Sequence, residues 1–179
     1  MQFAKAAPAA LLGLVLVLGG AGAATAQGLP GGATSLNETH GDWTVACVAP
    51  EATVTCVVSQ VQVNNESRQR VLSVELQAAE GGNTAAGTLV MPFGLALERG
   101  VLLAIDESEP LPPLRFSTCL PTGCLVPLVF NQGAVTALRA GTVLGARAVA
   151  NAGGQEVNFT ISLRGFPSAL ARAAELAGA

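Results

Sequence analysis

Four cysteines in two close pairs limit what this chain can fold into more than any other feature. Cys47 and Cys56 flank the turn residues PEAT, and Cys119 and Cys124 flank LPTG in CLPTGC. Four cysteines allow three pairings, and the local one is favoured because each pair brackets a chain reversal. WTVACVA and TVTCVVSQ read as two strands with a turn between them. In CLPTGC, proline presets one φ and glycine frees the next. Metal ligation fits poorly: structural zinc sites use short C-x₂₋₄-C knuckles plus further ligands, and the single histidine, His40, is near neither turn. A thioredoxin-type C-x-x-C at a helix start is absent. Two structural disulfides, Cys47–Cys56 and Cys119–Cys124, are therefore expected. Each should hold its Cα atoms near the ~5.5 Å that disulfides favour.

That expectation needs an oxidising compartment, and the N-terminus points to one. Lys5 gives a positive start, Leu11–Leu18 a short apolar run, and Ala24-Thr25-Ala26 a small-residue cleavage site. The apolar run falls short of the ~20 residues that span a bilayer. Residues 1–26 read as a cleaved signal peptide, 27–41 as a flexible leader rich in Gly, Ser, Thr and Asn, and 42–179 as one β-rich domain. The protein is expected in the periplasm or beyond. Lys5 is the only lysine, so cleavage moves the net charge from −3 to −4. Without a basic cluster, nucleic acid and anionic lipid are poor partners.

Strand signals recur at short spacing from Trp43 onward. VLSVELQ alternates, with Leu72, Val74 and Leu76 on one face. VNFTISL does the same with Val157, Phe159 and Ile161, continuing to Leu163. GTLVMP, VLLAID, LRFSTC, CLVPLVF and TVLGARAVA add shorter strands. NQGAVTALRAG holds one or two helical turns ending at Gly141. FPSALARAAELAG, with Pro167 near its start, is a longer helix closing at Gly178. Many strands without a βαβ rhythm predict an all-β fold, an antiparallel sandwich or flattened barrel with one or two short helices, one of them C-terminal.

Residues able to carry chemistry are few. The chain has one histidine and no tyrosine. His40 in NETHGDW reads as a solvated loop residue, so His40→Ala is expected to change stability by no more than ~0.5 kcal/mol. Asp42 suits a cap on the first turn. Asp106, Glu107 and Glu109 in IDESEP match no calcium loop and read as a solvated acidic turn. Trp43 reads as core. No catalytic residue, metal ligand or cofactor site is expected.

GDWTVAC with a second cysteine a hairpin later, the central MPFGLALERGVLLAID, RFSTCLPTGC and the closing SLRGFPSAL occur in one order over residues 41–170. With these segments the chain resembles the invasion-associated locus B family, exported proteins of Gram-negative bacteria. The resemblance implies a periplasmic or envelope β-domain, named for a member linked to host-cell invasion, and brings no catalytic residues to carry over. The sequence therefore reads as a non-enzymatic envelope binding domain. Its partner is expected to be another envelope protein or a small apolar or glycan ligand, and a role in host association is open. The alternative is a periplasmic enzyme or redox factor with a site that sequence does not reveal.

The compartment is directly testable. N-terminal mass spectrometry of fractionated cells should find a periplasmic protein beginning at Gln27. An intact Met1 in the cytoplasm would contradict both the compartment and the disulfides that depend on it.

Overall fold

In a computed structural model of the chain, residues 28–50, 53–64, 66, 68 and 70–178 are described. The expected signal peptide, 1–26, lies outside them. Two antiparallel sheets form an open sandwich. The larger runs β1 (Ser35–His40), β2 (Trp43–Val48), β3 (Thr55–Val63), β4 (Arg70–Ala79), β5 (Thr84–Met91), β8 (Gly123–Phe130), β7 (Thr118–Leu120), in that spatial order. The smaller runs β10 (Glu156–Ser162), β9 (Val143–Val149), β6 (Leu102–Ile105). Helix α1 (Gln132–Ala140) links β8 to β9, and α2 (Phe166–Ala177) ends the chain.

The alternation seen in sequence sets the inner face. Leu72, Val74 and Leu76 of β4 are buried, as are Val45 of β2, Val58 of β3 and Val126 of β8. They form one apolar cluster with Ile161 and Leu163 and with the α2 residues Phe166, Ala169, Leu170 and Ala173. The outer face of the large sheet stays open: Val61 is 57% exposed and Val129 81%. Pro127 lies inside β8, opposite Thr88 of β5. β7 accompanies β8 only as far as Leu125, so Pro127 falls where that edge is free, the place a sheet tolerates proline.

The expected flexible leader needs correcting. Leu29 is 2% exposed in the core, Pro30–Gly32 makes a 3₁₀ turn, and Ser35–His40 is a full edge strand in register with β2. Alternation did not reveal β1 because its inward positions are Leu36, Glu38 and His40, two of them ionisable. Their partners come from α2, beyond the reach of any local pattern. LRFSTC is also shorter than expected, with strand structure only from Thr118.

Both disulfides join directly opposite residues. Cys47 pairs with Cys56 across β2 and β3, and Cys119 with Cys124 across β7 and β8. The Cα separations are 4.1 and 3.9 Å, shorter than the expected ~5.5 Å and nearer the close cross-strand approach of an antiparallel ladder. Gly123, just before Cys124, has φ +135°, and a Cβ there would sit 2.5 Å from the Met91 carbonyl oxygen. Only glycine lets β8 leave the CLPTGC turn and pair with β5 at once.

The two ends of the domain are clasped together. Asp42 N–H donates to the Arg164 carbonyl at 3.0 Å, and Ser162 Oγ donates to the Asp42 carboxylate at 2.7 Å. The Arg164 guanidinium holds both Asp42 oxygens. Beside this pair the buried Trp43 donates from Nε1 to the Ser162 carbonyl at 2.8 Å and packs 5.0 Å from the Phe166 ring. Gln60 donates to the same carbonyl at 2.9 Å, and Gln62 to the Thr160 carbonyl at 2.6 Å. Side chains of the large sheet thus serve backbone acceptors of β10, joining two sheets that share no ladder at this corner. Gly165 has φ +90°, and a Cβ there would overlap the His40 carbonyl.

Three outcomes follow from this geometry. Replacing Cys119 and Cys124 together with serine should lower stability by roughly 2 kcal/mol with the circular dichroism spectrum unchanged; an unchanged melt would contradict the staple. Gly165→Ala should cost at least the ~1–3 kcal/mol of backbone strain, read by chemical denaturation. Hydrogen bonds from Arg164, then Ser162, lower the Asp42 pKa from 3.8 to about 2. The clasp therefore contributes stability fully above the unfolded carboxylate pKa and loses it as pH falls toward 2. Thermal melts of Asp42→Asn should lie below wild type at neutral pH and converge with it in that acid window.

Candidate functional site

The segment after β6 builds a cleft. EPLPPL carries three prolines among six residues, 109–114, and so cannot pair as a strand. It touches the sheet through Leu111 N–H on the Leu103 carbonyl at 2.7 Å and through the Val101–Leu114 bridge, both bonds 2.9 Å. Held this loosely, Leu111 and Leu114 stand away from α1 and leave a cavity of about 430 Å³. Its floor is Leu103, Ile105 and Phe130, and its far wall is Ala134 and Ala137 of α1. Val129, Ser108 and Asn131 lie at the mouth, and no lining residue is charged. Volume and lining fall within the usual range of ligand pockets.

The sequence singled out Asp106, Glu107 and Glu109 next to this region. Asp106 has φ +51°, and its Oδ1 accepts from the N–H groups of Thr142 at 3.0 Å and Val143 at 2.9 Å. It holds the start of β9, a more specific role than a solvated turn. Glu107 shares with Ser108 and Ala137 a second hollow of about 420 Å³ running on toward Gly141. On the other side Val129, Phe130 and Asn131 also line a hollow of about 400 Å³ that reaches Ala86 and Gln77. The cleft thus adjoins a hollow on either side, a trough whose central and Gly141 parts border α1. No part of it was legible in sequence, where the neighbouring IDESEP reads only as a solvated acidic turn.

A second cluster joins β1 to α2 and corrects the reading of His40. His40 ends a strand and its side chain is 20% exposed. Nδ1 lies 3.3 Å from Ser168 Oγ and Nε2 3.3 Å from Glu38 Oε2. Glu38 is gripped by Arg172 through three bonds of 3.0 to 3.3 Å, and Arg172 also meets Glu175 at 3.2 Å. The bonds from Arg172 hold the Glu38 carboxyl below its ordinary range; burial opposes them, and His40 adds a smaller downward contribution. Glu38 and Glu175 push Arg172 upward. With the half-buried Glu38 and the exposed Ser168 both in reach of its ring, His40→Ala is expected to cost more than the surface value read from sequence. The partners come 128 and 134 residues later, so sequence spacing could not disclose them.

Known proteins match over most of this architecture. The family described as Invasion associated locus B (IalB) protein matches residues 43–174. An invasion protein B homolog of Brucella abortus strain 2308 is 47% identical over 149 residues, covering 83% of this chain and 85% of the relative. Invasion protein B of Bartonella bacilliformis is 36% identical over 151 residues, covering 83% and 80%. The crystal structure of invasion associated protein B from Bartonella henselae superposes with a TM-score of 0.73 at 33% identity, over 79% of this chain and 97% of that one. The match begins at the clasp residue Trp43 and ends within α2.

The Glu38 carboxyl should titrate below the usual carboxylate range by NMR in the intact protein. In Arg172→Ala its pKa should rise. An unchanged titration would mean that Arg172 does not hold it.

Proposed function

Because the chain belongs to the invasion associated locus B family, we propose that it is an exported, non-enzymatic binding domain of the cell envelope that engages its partner through the cleft beside α1. One observation carries this reading: an uncharged cavity of about 430 Å³ that opens to the surface past the exposed Val129. Buried apolar surface without titratable groups favours retention of a ligand over chemistry on it. Signal cleavage after Ala26 and the periplasm are the remaining parts of the proposal, supported by the two disulfides. The relatives' names raise a host-association role; the acidic, lysine-free mature chain argues against one that works by gripping anionic surfaces.

A second reading, a hydrolase, is favoured by the run Ser168–His40–Glu38, which places a hydroxyl, an imidazole and a carboxylate in series. It ranks lower because the Ser168 hydroxyl also donates to the Gly165 carbonyl at 3.0 Å and the carboxylate is already neutralised by Arg172. The trio also stands on β1 and α2, whereas the cleft is built from β6, β8 and α1.

Two experiments separate the readings. Val129→Asp and Ala137→Arg place charge at the cleft mouth on exposed positions; both variants should melt like wild type and lose the adducts that formaldehyde captures in intact cells. Adducts unchanged in folded variants would overturn the cleft reading. A fluorophosphonate probe should leave the protein unlabelled. Labelling abolished by Ser168→Ala in a folded protein would instead establish the hydrolase.

A further inference from the structure

The three hollows adjoin one another and share lining residues, and together they are the trough. Val129, Phe130 and Asn131 line both the hollow reaching Ala86 and the central cleft, and Ile105, Ser108 and Ala137 line both the cleft and the hollow ending at Gly141. The central cleft and the Gly141 hollow run along α1, whose nine residues span ~13 Å, about the reach of four residues of extended chain. Its two ends differ in charge. The Val129 end has no charged lining residue, whereas the Gly141 end carries Asp106 and Glu107. The C-terminus of α1 adds its partial negative charge at the same end. Arg139, the basic residue of that last turn, lines neither hollow and reaches instead to the Gly82 carbonyl at 2.7 Å.

We propose that the trough takes an extended apolar segment of about four residues from a partner polypeptide, lying so that a Lys or Arg at one end of the segment meets Asp106 and Glu107. This rests on the cleft being the binding site and adds the occupant's chemistry and direction. An apolar stretch fills the uncharged middle. A carboxylate-ended occupant, such as a free fatty acid, would meet repulsion from the exposed Asp106 and Glu107 at the Gly141 end, whereas a Lys or Arg is attracted there. Asp106 is committed to the start of β9, so Glu107 supplies the adjustable attraction.

The test uses the full mature protein and two synthetic peptides, acetyl-Leu-Val-Phe-Leu-Lys-Lys-amide and its Glu-Glu counterpart. Kd is measured by titration at low and high salt, and contacts are mapped by amide chemical shifts. The Lys-Lys peptide should bind roughly three- to tenfold tighter at low salt, an advantage that shrinks with added salt. Shifts should map to α1 and residues 103–114, and Glu107→Lys should erase the preference. Equal binding of both peptides in the trough would overturn the charge-directed occupant and leave the cleft reading standing. If neither peptide binds, the polypeptide occupant is overturned, and the cleft reading is decided by the in-cell adducts of Ala137→Arg, on α1 and away from the outer face of the sheet. Shifts that map elsewhere would overturn both.

Discussion

The clasp between the β1–β2 turn and the β10–α2 turn is the contact on which the rest of the fold depends. Asp42 and Arg164 close it on the surface, and Trp43 closes it inside by giving its N–H to the Ser162 carbonyl and its ring to Phe166. The residues are some 120 positions apart in sequence. Without them, α2 would lose the contact that fixes its first turn, leaving its buried face and the Arg172–Glu38 grip to hold it, and the Ser162 and Thr160 carbonyls of β10 would lose the side chains that serve them. Gln60 and Gln62 extend the contact along the corner, so a row of side-chain amides replaces the strand that would have closed a barrel. Buried amides of this kind need every bond made, because an orphaned one costs more than a made one contributes. The corner is therefore specific as well as tight.

With that corner fixed, the opposite side of the sandwich is free to open. β6 is the short outer strand of the small sheet, and the segment that follows cannot pair fully with it because of its prolines. The gap against α1 is a consequence of that choice of residues. Asp106 keeps the gap from wandering by tying the loop's first residue to the start of β9. The proposed site is thus a hollow already open without an occupant, which lowers the ordering cost of binding.

Much of the frame was legible in sequence. The period-two alternation of Leu72, Val74 and Leu76, the turn chemistry around both cysteine pairs, Pro167 at a helix start and glycine at both helix ends are local signals, and the structure places these elements accordingly. What was missed depends on distant partners. β1 is hidden because Glu38 and His40 occupy inward positions and are satisfied only by Arg172 and Ser168. GDW and SLRGF stood out as motifs, but nothing in either says that it holds the other. The trough is hidden for a different reason: a cavity is space between elements, and no pattern of residues encodes it before the elements are placed.

The outer face of the large sheet is the natural competitor for a partner, with Val48, Val61 and Val63 exposed among threonines and serines. Site-specific photocrosslinking in intact cells decides between the two surfaces. A photoreactive residue at Ala137 in the trough is compared with one at Thr44 on the outer face, both in the full-length chain. The account predicts a discrete adduct from position 137 and none from position 44. An adduct from position 44 alone would place the working surface on the open sheet and contradict the trough.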